Sequence, residues 1–98
     1  MSEEAIKRLR AWEKRMARAK AAATKALIDT GCLIVPSNND RFCLIATRAL
    51  EVRFIRITID KISEADIETI RNIKLPNACI KEIWCRKDDN FEIREFLN

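Results

Sequence analysis

Apolar residues recur along the first thirty positions at helical spacing. Leu9, Trp12, Met16, Ala19, Ala23 and Ala26 or Leu27 follow one another at intervals of three or four. That spacing puts them on one stripe of an α-helix. No Gly or Pro interrupts residues 3–29, where Ala, Lys, Arg, Glu and Leu dominate, all strong helix formers. Ser2 predicts the N-cap, and Gly31, the single glycine, predicts a left-handed C-terminal stop. Such a helix spans about 40 Å at 1.5 Å per residue, more than a core built from the rest of the chain needs. Its first two turns or more are expected to overhang. The stripe runs on into the overhang through Leu9 and Trp12, which predicts a partner there rather than simple fraying.

Beyond Gly31 the period shortens. Residues 32–35 read as a short apolar strand stopped by Pro36 and the turn cluster Ser37-Asn38-Asn39-Asp40. Residues 42–47 form a second strand, apolar on both faces, and 48–51 the connection to a third over 52–59. That third strand alternates, with Arg53, Ile55, Ile57 and Ile59 on one face and Phe54, Arg56 and Thr58 on the other. Ser63 followed by Asp66 is a capping-box pattern opening a second helix. Ile67, Ile70 and Ile73 or Lys74 mark its buried stripe, and Pro76 stops it. Residues 79–86 and 91–96 make a terminal hairpin across Lys87-Asp88-Asp89-Asn90. The order αβββαββ predicts an α/β fold. Residues 1–98 form one domain, with 1–17 as a basic, overhanging start and 18–98 as the core.

Composition narrows the chemistry. Ninety-eight residues allow one modest core. With no His, a Ser/His/Asp triad, a Cys/His dyad and an HExxH zinc site are excluded. No Tyr is present to act as acid or nucleophile. Cys32, Cys43, Cys79 and Cys85 each lie in an apolar run and none forms a CxxC pair. They read as small hydrophobes rather than zinc ligands. The start MSEEAIKRLR is charged and no run approaches the ~20 apolar residues of a membrane span. The expected compartment is the cytoplasm, with no membrane partner.

The charge is uneven. Residues 1–25 hold Lys7, Arg8, Arg10, Lys14, Arg15, Arg18, Lys20 and Lys25 against Glu3, Glu4 and Glu13, a surplus of five. The rest of the chain has eleven basic and twelve acidic residues. The excess positive charge is therefore confined to the first helix. It reads as a footprint for phosphate backbones or an anionic membrane surface, or as a solvated helix face. Trp12 is the only aromatic ring among the first 41 residues, so the aromatic interleaving of single-strand binders is missing from the pattern. Trp12 reads first as a stripe residue, with base stacking or an interface anchor as its alternatives.

Several local words resemble the restriction-endonuclease-like PD-(D/E)xK superfamily, and within it the small archaeal Holliday-junction-resolvase-like proteins. They are Ala26-Leu27-Ile28-Asp29-Thr30-Gly31, Phe42-Cys43-Leu44-Ile45-Ala46, Phe54-Ile55-Arg56-Ile57-Thr58, and Lys81-Glu82-Ile83-Trp84 with Phe91-Glu92-Ile93. The resemblance covers residues 18–98 and implies a mixed sheet of the nuclease type. It also implies an acid on the second strand and an acid or amide two before a Lys on the third, holding Mg²⁺ through oxygen. Here those positions are Cys43, Arg56 and Thr58. Cys is a soft, poor magnesium ligand, Arg56 repels a divalent cation, and Thr58 is uncharged. Where many relatives keep a Glu on the first helix, this chain has Ala19 and Lys20.

The resemblance thus implies a nuclease fold without nuclease chemistry and without a cofactor. The expected role is a nucleic-acid-binding or assembly module, with DNA as partner and a homodimer through the first helix and the sheet edge. Lys7, Arg8, Lys14, Arg15, Arg18 and Arg56 are its candidate nucleic-acid contacts. Arg56 reads alternatively as the structural partner of a carboxylate such as Asp60, Glu82 or Glu92. A shifted motif would give an active Mg²⁺-dependent endonuclease from Asp40 and Glu51-Val52-Arg53. A third reading is a protein-interaction domain that binds no nucleic acid.

Overall fold

The computed structural model describes residues 2–37 and 41–97. Its elements are α1 (Glu3–Asp29), β1 (Leu33–Pro36), β2 (Leu44–Arg48), β3 (Glu51–Ile59), α2 (Glu64–Arg71), β4 (Cys79–Lys87) and β5 (Asn90–Phe96). The strands form one mixed sheet in the order β1-β2-β3-β4-β5. All neighbours pair antiparallel except β3 and β4, which run parallel with α2 as their crossover. A parallel pair requires such a crossover, because a tight turn cannot return the chain to the same end.

The ends of α1 are set by local chemistry. The Ser2 hydroxyl accepts from the Ala5 amide at 3.1 Å. At the far end the Cys32 amide donates to the Leu27 carbonyl and the Gly31 amide to that of Ile28. This paired closure places Gly31 at φ +92°, where a side chain is disfavoured. Cys32 and Leu27 then join the same apolar cluster. In α2 the capping box forms as its pattern predicts, with Ser63 and Asp66 exchanging hydrogen bonds.

The sheet carries a core on each face. On one side Ala19, Ala23 and Leu27 of α1 meet Leu44, Ala46, Ile55, Ile57 and Trp84. On the other, Ile67 and Ile70 of α2 pack with Phe42 and Ile83, and with half-buried Phe54 and Phe96. The alternation read along β3 supplies both. Burying side chains such as Leu27, Ile55, Ile70 and Ile83, all essentially inaccessible, contributes about 1.5–3 kcal/mol each.

The second strand departs from its simple reading. It begins at Leu44 rather than at residue 42. Phe42 and Leu44, two apart, serve opposite cores, which an unbroken pleat forbids. The cause is local. The Cys43 amide donates to the Ile55 carbonyl at 2.8 Å, yet Leu44 is the register partner of Ile55. Two residues therefore oppose one, as in a β-bulge. Phe42 is turned toward α2, where it meets the Phe54 ring edge-on at 5.5 Å.

Candidate functional site

Helix α1 outruns the sheet. Its buried side chains are Ala19, Ala23 and Leu27, with Met16 packed at the margin. Leu9 and Trp12 continue the same stripe but remain 46% and 50% exposed. The apolar stripe on the N-terminal part of α1 is therefore uncovered among the described residues.

On the solvent side of α1 the basic residues fall into a row. Lys7, Lys14, Arg18 and Lys25 are spaced by seven, four and seven residues, which aligns them along the axis. Lys25 pairs with Asp29 at 3.3 Å. Lys7, Lys14 and Arg18 make no ion pair or side-chain hydrogen bond among the described residues. Arg8 reaches Glu4 only loosely, at 3.9 Å with both side chains 84% exposed. Arg15 is engaged: its guanidinium donates to the Asp60 carboxylate.

Asp60 gathers three elements at the end of β3. Its amide donates to the Arg86 carbonyl at 3.1 Å, and the Lys61 amide returns to Ile59 at 2.9 Å. The resulting three-residue turn holds Asp60 at φ +69°, an unfavourable conformation for a residue with a side chain. Beside it opens a cleft of about 420 Å³ between α1 and the carboxyl ends of the parallel strands. Arg15, Arg18 and Arg86 line it together with Asp60, Asp88 and Asp89. The charges in this cleft balance.

Arg56 is a structural partner, and its carboxylate is Asp66 rather than Asp60, Glu82 or Glu92. Its Nε donates to Asp66 Oδ1 at 3.0 Å and its Nη1 to the Arg41 carbonyl at 3.1 Å. The other Asp66 oxygen accepts from the Ser63 amide and hydroxyl. Burial pushes the Asp66 carboxyl upward. The hydrogen bonds from Ser63 and the Arg56 guanidinium outweigh that push and hold it below the usual carboxylate range.

The three positions marked by the resemblance do not converge. Arg56 and Thr58 alternate with Ile55 and Ile57 and so face α2, whereas Cys43 packs against the α1-side cluster. Asp40 lies outside the described residues. Glu51 opens β3, where the Arg53 guanidinium holds it at 3.1 Å. Among the described residues no group of three or more Cys, Asp or Glu side chains is placed to share a metal ion.

Two buried charges escaped the sequence pattern. Lys81 is fully buried, and its ammonium donates to the carbonyls of Ile70, Arg71 and Ile73 at 3.2, 3.2 and 2.7 Å. It thereby caps the C-terminal end of α2, where the helix dipole favours a cation. Burial pulls its pKa down. Glu82, on the opposite face, accepts from the Trp84 indole at 3.2 Å and lies 3.7 Å from Arg53. Burial raises its pKa, although Trp84 and Arg53 favour the ionised form. Lys81 did leave a signal, since it shares a strand face with Cys79, Ile83 and Cys85. All four cysteines are free thiols, and burial pushes the Cys85 thiol up.

No helix among the described residues is long and apolar enough to cross a membrane. Comparison with protein-family models, with curated proteins and with solved structures gives no match.

Proposed function

We propose that this chain is a non-catalytic binding module of nuclease-like architecture whose first helix holds the phosphate backbone of a nucleic acid. The observation that carries the reading is the row of Lys7, Lys14 and Arg18, three aligned cations that the fold itself leaves unpaired. Phosphate contacts of this kind position a protein without reading sequence. The engagement of Arg56 with Asp66 supports the non-catalytic part, because it gives that residue a structural role where the resemblance calls for a metal ligand.

The test is a titration against a four-way DNA junction and a plain duplex at two salt concentrations, with Mg²⁺ or Mn²⁺ present. Salt-sensitive binding without cleavage is expected. Each neutralised phosphate adds about −0.9 to the slope of log K against log salt on duplex. Replacing Lys7, Lys14 and Arg18 together with Glu should abolish binding and leave the circular dichroism spectrum intact. Metal-dependent cleavage would refute the non-catalytic reading and return attention to Asp40 and Glu51.

Assembly is a second reading, favoured by a different observation. Among the described residues strand β1 pairs only with β2, which leaves its outer edge open there, and Leu33 and Val35 are 75% and 52% exposed. An open edge is a template for another chain. Four residues ending in Pro36 make this one short and blunt. Sedimentation that shows a monomer at high concentration would remove the dimer.

A further inference from the structure

The overhang of α1 has a border as well as two sides. By the 3.6-residue period, Arg8 and Arg15 lie between the basic row and the apolar stripe, four residues before Trp12 and three after it. The indole thus has a guanidinium-bearing residue one turn away in each direction along the same border. It remains half exposed although it sits on a stripe that elsewhere builds the core. Leu9 extends the apolar side beneath it, and Lys7, Lys14 and Arg18 extend the basic side.

We infer that Trp12 is a base-stacking platform and that the nucleic acid bound by α1 is single-stranded. The inference rests on the phosphate-binding reading above and specifies its ligand, with one exposed ring on α1 in place of the interleaved aromatics of other single-strand binders. A single strand is itself two-sided, with charged phosphates along one side and flat apolar bases along the other. Laid along the border, it puts phosphates on Arg8 and Lys14 and a base on the Trp12 face. A duplex keeps its bases stacked inside and can use only the basic row. Stacking on an aromatic side chain accepts any base, because every base has a π-face.

The carboxylates near this border set its extent. Glu4 faces Arg8 across an exposed pair, and Glu13 stands on the far side of the stripe. Asp60 engages Arg15, while Asp88 and Asp89 rim the adjoining cleft and repel phosphate. The strand therefore stays on the overhang and does not run into the cleft. An antiparallel second copy of this chain is a poorer occupant of the same stripe. Two such helices in antiparallel contact would set the Arg8 and Arg15 edge of one against that edge of the other, and like charges there repel.

The experiment compares a fifteen-nucleotide oligodeoxythymidine with a fifteen-base-pair duplex by anisotropy and intrinsic fluorescence at fixed salt. The oligodeoxythymidine is expected to bind at least tenfold tighter and to quench the exposed indole, with buried Trp84 as an unquenched background. Trp12→Ala should weaken oligodeoxythymidine binding tenfold or more and leave duplex binding unchanged, and Trp12→Phe should restore most of the loss. Equal affinity for both ligands with no effect of Trp12→Ala would overturn the inference and spare the phosphate-binding reading. Binding of neither would overturn both. Concentration-dependent self-association that shields Trp12 without nucleic acid would overturn the inference in favour of a second copy.

Discussion

The ammonium of Lys81 lies 2.7 Å from the carbonyl of Ile73 and draws the end of α2 onto the middle of the sheet. Two further carbonyls, of Ile70 and Arg71, share it. Sequence and packing meet here, because a strand residue finishes the helix that precedes its own strand. Replacing Lys81 with Met keeps most of the buried volume but removes the buried donor that those carbonyls share. The expected loss is about 2–4 kcal/mol, read as a lower urea midpoint with an unchanged slope.

Asp66 should control stability in acid. Its folded-state pKa is held below 3.8, so the unfolded chain binds the proton more readily. The stabilisation is complete above the unfolded value and is lost as pH falls below 3.8 through the folded one. Asp66→Asn should remove that acid-limb dependence. It should also cost about 2–4 kcal/mol at neutral pH, because the carboxylate that Arg56 and Ser63 both bond is then lost from a half-buried site. Urea titrations at pH 6 and pH 2.5 test both statements.

Glu82 should act with the opposite sign. Its folded-state pKa is raised above 4.5, so the folded chain holds the proton longer. The stability it adds is present below 4.5 and is lost as pH rises through the folded value. Glu82→Gln keeps an acceptor for the Trp84 indole and carries no charge to desolvate. It should flatten the pH profile on that limb and match or exceed the parent stability at pH 7, as measured by chemical denaturation followed through Trp84 fluorescence.

Gly31→Ala should destabilise by about 1 kcal/mol. A methyl group there meets only the Arg48 side chain, at 3.9 Å. The cost is therefore conformational, from φ +92°, and Gly31→Asn should recover part of it. Thermal melts of the three proteins should fall in the order Gly, Asn, Ala.

The parts of this fold legible in the sequence are those fixed by near neighbours. Ser2, Gly31 and the Ser63–Asp66 pair each mark a helix end by bonds made within five residues, and both helices start where those marks predict. The two faces of β3 follow from strict alternation. What was not legible depends on contacts across the sheet. The bulge at Cys43 is set by Ile55 and reverses Phe42. Arg56 finds its carboxylate ten residues on, across the crossover. Lys81 shares a strand face with Cys79, Ile83 and Cys85, but its partners are known only once the last turn of α2 is placed above it. In the candidate site, the basic row was readable from residue types alone. The uncovered state of Trp12 was not, because a stripe at helical spacing does not say where the sheet beneath it ends.

That end divides α1 into two regimes of lifetime. From Ala19 to Leu27 the helix is fastened by the core, so its amides open to solvent only when the sheet lets go. Toward the N-terminus the tertiary fastening is the packing of Met16 and the Arg15–Asp60 pair, the one ion pair that joins α1 to the sheet among the described residues. Beyond it the helix lives on its own propensity and on the Ser2 cap, and isolated turns in water are short-lived. One continuous helix should therefore show a gradient of hydrogen exchange of several orders of magnitude along its length. The step should fall near Arg15, and Asp60→Asn should shift it toward Ala19.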